Sequence, residues 1–201
     1  MNEIAEITQL VLKERQGRDR GGWEQMEACF HPDSLVHLSW IHGTGAEFVA
    51  RSRKMRETGG ARPVHRASPP IVHTEGQRAL VELPVAAEVR TTAHGVEVDL
   101  VSFMRLLYRV EKRDAAWKIT QLTCIYERDT LTPAVHGSVL KLDIERMEQF
   151  RMPYRCLAYF FSLTSRTVGD DLYGDDQPER VDELYAAAFS WLRELSDRKV
   201  Q

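Results

Sequence analysis

Near the start of the chain, apolar positions recur every three or four residues. Ile4, Ile7, Leu10 and Val11 form a stripe that Glu14 continues, while Glu3, Glu6, Lys13 and Arg15 fall elsewhere. This spacing predicts an amphipathic helix over 3–18, stopped by Gly21-Gly22. Trp23, Met26 and Phe30 give a short second helix before the turn at Pro32-Asp33. Residues 34–41, SLVHLSWI, read as extended. Thr44 and Glu47 have capping-box spacing, in which two side chains satisfy two otherwise unpaired backbone donors. They open a third helix with Phe48, Val49, Ser52 and Met55 on its inner face, ended by Gly59-Gly60.

The period then becomes strand-like. Three long stretches, 78–90, 96–111 and 116–128, and a shorter one over 64–73 are rich in Val, Leu, Ile, Thr and aromatic residues. Breaks fall at Glu75-Gly76, His94-Gly95 and Arg113-Asp114-Ala115. Helices first and strands afterwards predict an α+β fold, with helices packed on one face of a curved antiparallel sheet. Beyond residue 130 the pattern changes again. Residues 142–163 have helical spacing interrupted by Pro153, and Pro178 to about Leu195 is another expected helix, carrying Val181, Leu184, Tyr185, Ala188, Phe189 and Leu192. The expected organisation is one domain over 1–129 and a helical extension over 130–201 packed on it.

The chain has 201 residues, of which 43% are hydrophobic, enough for a real core. Its 27 basic and 30 acidic residues argue against a dedicated nucleic-acid binder. No apolar run approaches the ~20 residues that span a bilayer, and the acidic start (Glu3, Glu6) lacks the features of a secretory signal. A cytoplasmic location is expected. Cys29, Cys124 and Cys156 are scattered among apolar neighbours and suit neither a disulfide framework nor a zinc site. The acidic run from Gly169 to Asp176 lacks the ligand spacing of a calcium loop, and the seven histidines show no metal-ligand spacing. Dinucleotide-binding, P-loop, zinc-protease and nucleophile-elbow motifs are missing from the sequence. The chemistry is therefore expected to need no cofactor and no metal.

Several segments are nevertheless familiar. Gly17-Arg18-Asp19-Arg20-Gly21-Gly22-Trp23-Glu24, followed by Cys29-Phe30-His31-Pro32-Asp33, resembles the opening of SnoaL-like proteins, a branch of the nuclear transport factor 2-like superfamily. Gly43 to Val49 resembles the start of that family's third helix, Pro63-Val64-His65 its histidine-bearing strand, and Glu111 to Ile119 a hairpin near its end. The resemblance covers roughly residues 3–128. It implies a cone, in which a curved mixed sheet wraps around the N-terminal helices and leaves a deep pocket between them. It also implies homodimers or homotrimers formed through the outer face of the sheet. Members include dehydratases, an isomerase and a dehydrochlorinase, and other members are catalytically inert, so the site must decide function.

In the dehydratase and dehydrochlorinase members, an Asp at the end of the first helix pairs with a His on a strand. The matching residues are Asp19 and His65. Imidazole can remove a proton near neutral pH, and a carboxylate on its far nitrogen fixes the tautomer and stabilises the imidazolium. Five residues before Asp19, where relatives often carry Tyr, stands Glu14, a candidate proton donor if an apolar pocket raises its pKa. Positions matching a second catalytic His and a pocket Tyr of scytalone dehydratase fall at Val101 or Phe103 and at Leu38. If Phe103 faces inward, strand parity carries Arg105 and Leu107 with it, and Arg105 could then anchor an anionic or phenolic oxygen. Trp40 and Tyr108 complete the expected substrate-binding set, and His37 and His42 lie close to the expected mouth. The function implied is a cofactor-independent lyase or isomerase acting on a small hydrophobic, cyclic or aromatic molecule, with carbon–carbon cleavage open as a variant. The alternatives are a non-catalytic small-molecule binder and a dioxygenase small subunit, both on the same fold.

Overall fold

A computed structural model describes residues 2–59, 62–164 and 166–194. Helix α1 (Glu3–Arg20) begins at Asn2, whose side chain accepts the N–H of Ile4. It closes at Gly21, which has the left-handed backbone (φ +79°) that glycine adopts without a steric penalty. Gly17 lets α2 (Trp23–Ala28) approach closely: a Cβ at Gly17 would lie 3.0 Å from that of Met26. Strands β1 (Phe30–Leu38) and β2 (Ile41–Thr44) form a hairpin leading into α3 (Gly45–Glu57), where the capping box forms as predicted.

The remaining strands are β3 (Val64–Ala67), β4 (Ile71–Glu75), β5 (Arg78–Ala93), β6 (Val96–Arg113), β7 (Ala116–Pro133) and the short β8 (Tyr173–Gly174). The sheet order is β2-β1-β7-β6-β5-β3, with β4 also pairing β5 and β8 pairing β7. β1–β7 and β7–β8 are parallel and the other pairs antiparallel, which makes the sheet mixed. It is curved and unclosed, with helices at both ends, so the fold is α+β as the sequence pattern predicts. The parallel pairs of β7 with β1 and β8 replace the expected antiparallel sheet by the mixed one that the family resemblance implies. The β6–β7 pairing shifts register between Phe103 and Met104 and between Arg109 and Val110. Such bulges bend and twist a strand locally.

The helical pattern over 142–163 resolves into α4 (Ile144–Met147), a 3₁₀ turn (Met152–Tyr154) and α5 (Arg155–Ser162), with Pro153 inside the 3₁₀ turn. Helix α6 (Pro178–Arg193) follows β8. These elements cover the sheet on both sides. Met147, Tyr159 and Phe160 pack with Val98, Leu100 and Leu131. On the outer face, Val181, Leu184, Ala188 and Leu192 of α6 cover Leu80, Leu107 and Ile125. Among the described residues, no helix is long and apolar enough to cross a membrane.

Candidate active site

The last turns of α1 carry Arg15, Arg18 and Asp19 on one face, three and four residues apart. β3 brings His65 to the same place from the sheet edge. His65 Nδ1 lies 2.6 Å from Asp19 Oδ1, and the His65 backbone N–H donates to Asp19 Oδ2 at 2.7 Å. Both carboxylate oxygens of Asp19 are thus committed to one residue. The Asp19 carbonyl in turn accepts from Arg56 at 2.9 Å, which fixes the end of the helix.

Burial favours the neutral imidazole and outweighs the contrary pull of Asp19, so the His65 pKa lies below its ordinary value. Burial opposes the charge on Asp19, yet the hydrogen bond from His65 and its charge prevail and hold the carboxyl below its usual range. The pair at neutral pH is a carboxylate and a neutral imidazole. With the carboxylate accepting at Nδ1, the lone pair resides on Nε2.

His65 lines a cavity of about 260 Å³. Leu38, Ser39 and Trp40 of the β1–β2 hairpin, together with Phe48 and Met55 of α3, form one wall. Inward residues of the sheet (Ala87, Leu100, Ser102, Met104, Leu106 and Tyr126) form another. Tyr126 Oη accepts from the Ser39 backbone N–H at 2.9 Å and so holds the hairpin tip. Leu157, Phe160 and Phe161 of α5 close the space, with Arg166 beside them. The start of α5 is anchored by Asp129 of β7, whose carboxylate accepts the N–H groups of Cys156 and Leu157 at 3.0 and 2.7 Å. The apolar lining with a few polar groups suits a small organic molecule.

The structure places His65, Leu38 and Trp40 at this cavity, with Asp19 hydrogen-bonded to His65 but outside the wall itself, and puts the other expected site residues elsewhere. Glu14 is fully buried but lies outside the wall. Its carboxylate pairs with Arg15 and accepts from Tyr108 Oη at 3.1 Å. Burial opposes the charge on Arg15, yet the adjacent Glu14 outweighs it and holds the guanidinium above its ordinary value. Glu14 is therefore an ion-pair acceptor rather than a proton donor at the cavity, and Tyr108 is its buried partner rather than a substrate contact.

Val101, Phe103 and Arg105 share one side of β6, as strand parity requires, but it is the outer side. Phe103 stacks with Arg128, and Arg105 pairs with Glu127 and Asp175 and sits over the ring of Tyr185. The inward row is Leu100, Ser102, Met104 and Leu106. β6 is apolar on both sides because α6 covers part of the outer face, so apolarity alone could not set its parity. Arg15, expected among the polar positions of α1, is buried.

Three residues that the spacing left unlinked come together outside the cavity. His37 and His42, opposite each other in the β1–β2 hairpin, stack at 4.6 Å, and His37 Nε2 is 3.6 Å from Asp171 Oδ2. Their ligand-capable atoms lie within 4.8 Å of one another. The cluster is largely exposed, and His37 lies on the side of β1 opposite the cavity-lining Leu38. Other acids of that loop are engaged by arginines: Asp175 by Arg105 and Asp176 by Arg151.

Sequence reasoning missed Arg15, Arg18, Ser102, Met104, Leu106 and the α5 residues of the wall. Arg18 carried a legible signal, since it extends the stripe Ile7, Val11, Glu14 by one more turn.

The SnoaL-like domain model matches residues 1–123, and the chain belongs to that family. An uncharacterised protein of Emericella nidulans is 30% identical over 190 residues, covering 87% of this chain and 79% of that protein. Pea pathogenicity protein 2 of Fusarium vanettenii is 27% identical, with the same coverage of both chains. Among solved structures, a hexachlorocyclohexane dehydrochlorinase of type 2 superposes with a TM-score of 0.58 at 12% identity, covering 70% of this chain and 95% of that one. A scytalone dehydratase-like protein of Novosphingobium aromaticivorans gives 0.51 at 21%, covering 70% and 93%. These structural likenesses show the fold alone.

Proposed function

We propose that the protein is a cofactor-independent lyase or isomerase acting on a small, largely apolar cyclic molecule. The observation that supports this best is the neutral His65, held by a doubly hydrogen-bonded Asp19 at the wall of an apolar cavity. His65 Nε2 removes a proton from carbon, and Asp19 stabilises the imidazolium that forms. The electron pair left on carbon then forms a double bond as a neighbouring group departs and takes up a proton. Alternatively, the imidazolium returns its proton to a different carbon, which is isomerisation. The cavity orients the substrate and excludes water from the proton transfer.

Both routes begin with removal of a proton from carbon, and that step is measurable without knowing the natural substrate. We expect the protein to accelerate exchange of the acidic α-protons of 2-tetralone into D2O, followed by proton NMR. His65→Ala and Asp19→Asn should each slow it by about 10²–10⁴-fold while the circular dichroism spectrum is retained. Exchange equally fast in His65→Ala and wild type would sink the proposal and leave a binding role. A homodimer or homotrimer belongs to the same proposal. Since α6 covers Leu80, Leu107 and Ile125, the contact would use the rest of the outer face, and sedimentation velocity reads the state.

A further inference from the structure

Arg18 is 7% exposed, and among the described residues it makes no hydrogen bond or ion pair. Buried charges are ordinarily paired, because desolvation without a partner is expensive. The nearby acceptors are already taken. Both oxygens of Asp19 serve His65, and the Glu14 carboxylate serves Arg15 and Tyr108. Arg56, close by, carries the same charge and donates to the Asp19 carbonyl. The face of Trp40 supports the guanidinium, 5.7 Å from the ring centroid. A ring face lends a cation some stabilisation but accepts no conventional hydrogen bond. Both Arg18 and Trp40 line the cavity, as does His65.

We infer that Arg18 is an oxyanion subsite, and that the ligand of this cavity is a one- or two-ring apolar molecule bearing one anionic oxygen group beside the carbon that His65 addresses. The oxygen is either ionised before binding, as in a carboxylate or phenolate, or becomes ionised as an enolate when the proton leaves. A guanidinium fork matches either, and in a shielded cavity such a contact is strong. Burial and the neighbouring Arg15 push the Arg18 pKa down to about 10, so the group is still charged at neutral pH. The inference refines the lyase or isomerase proposal and rests on it for the cavity being the substrate site. The charge preference itself does not depend on proton transfer.

The test compares 2-naphthoate with its neutral isostere 2-naphthamide by titration calorimetry at neutral pH, alongside 2-tetralone exchange. If the anion is present before binding, the wild type should prefer the carboxylate by at least about tenfold. Arg18→Met should abolish that preference while holding the amide within about threefold, and Arg18→Lys should keep part of it. If the anion arises in the reaction, Arg18→Met should lower kcat for exchange at least about tenfold at nearly constant KM. The inference is overturned if the wild type shows no preference and Arg18→Met exchanges normally. It is equally overturned if a carboxylate preference survives in Arg18→Met, or passes to Arg166 by its loss in Arg166→Ala. Should Arg18→Met fail to fold, the wild-type ranking and Arg18→Lys decide between the same outcomes. His65→Ala separates the two proposals: lost exchange, with whatever carboxylate preference the wild type shows left intact, is the signature expected if both hold. Wild-type exchange without any Arg18 effect sinks the subsite alone. An Arg18-dependent preference in a protein that never accelerates exchange sinks the proton transfer alone.

Discussion

Glu14 and Asp19 are two buried carboxylates on the same helix, about one and a half turns apart, with side chains 0% and 8% exposed. Glu14 lies outside the cavity wall, paired with Arg15 and accepting from Tyr108, and so ties α1 to β6. Asp19 meets His65, which lines the cavity and is the base of the proposed proton transfer. The difference lies in the partner and in access, since both groups are carboxylates in similar burial. A carboxylate opposite a guanidinium is fixed in charge, because arginine does not give up its proton. A carboxylate opposite an imidazole shares a partner whose charge changes near neutral pH.

The largest effect expected from this contrast is on chemistry. Asp19→Asn should lose most of the exchange activity because its amide no longer favours the Nδ1–H tautomer or the imidazolium. Glu14→Gln, assayed below its melting temperature, should remain within about threefold of wild type in the same NMR assay, since Glu14 lies outside the cavity wall. If Glu14→Gln matched Asp19→Asn, the two carboxylates would have to be treated as one functional unit.

On stability the ranking reverses. Glu14→Ala leaves Arg15, 5% exposed, without its counter-charge. It should cost about 3–5 kcal/mol, or roughly 10 °C in Tm for a domain of this size, by thermal denaturation. Tyr108→Phe removes one donor to the same carboxylate and should cost about 1–2 kcal/mol. A stability loss in Glu14→Ala below that of Tyr108→Phe would contradict the ion-pair assignment.

The pH dependence follows from the dyad. Folding holds His65 below its ordinary value of 6.5 and Asp19 below its ordinary 3.8. Each therefore contributes stability that is fully present above the unfolded value and is lost as the pH falls through the folded one. Tm should be nearly flat above neutrality and decline in two stages, first as His65 and then as Asp19 takes up a proton. Exchange activity should fall with the first stage, and a rate that rises on acidification would exclude His65 as the base. The smallest effect belongs to Arg105, on the outer side of the sheet. Arg105→Ala should change stability by no more than about 1 kcal/mol and leave naphthoate binding unchanged in calorimetry.

Much of this was legible in the chain. The helix stripe ending at Gly21, the Thr44–Glu47 capping box and the breaks at Gly76 and Gly95 are local signals, and each holds in the structure. Asp19 and His65 were legible only through the family pattern, since 46 residues separate them and spacing alone says nothing about their contact. Arg105 and Phe103 were misplaced for a definite reason. A strand covered on both sides repeats apolar residues on both, and its parity is then set by distant packing from α6, which local alternation cannot register. The arginines of α1 were hidden by a rule that usually serves, namely that charged residues face water. Here Arg15 is buried with a counter-ion, and Arg18 is buried facing a cavity.

The α5 wall has a consequence for how such a protein can diversify. The family match ends at residue 123, and Asp19 and His65 lie within it. Leu157, Phe160, Phe161 and Arg166, which shape one side of the cavity, lie beyond it. They are joined to β7 through the Asp129 clasp on the first turn of α5. One side of the cavity is thus written in a different stretch of the chain from Asp19 and His65, while Leu38, Trp40, Phe48, Met55 and Leu100 of its wall lie in the same stretch as that pair. Inheritance can revise the α5 side without touching Asp19 or His65, and exchanging residues 155–166 between relatives is the natural route to a reshaped cavity beside an unchanged Asp19–His65 pair.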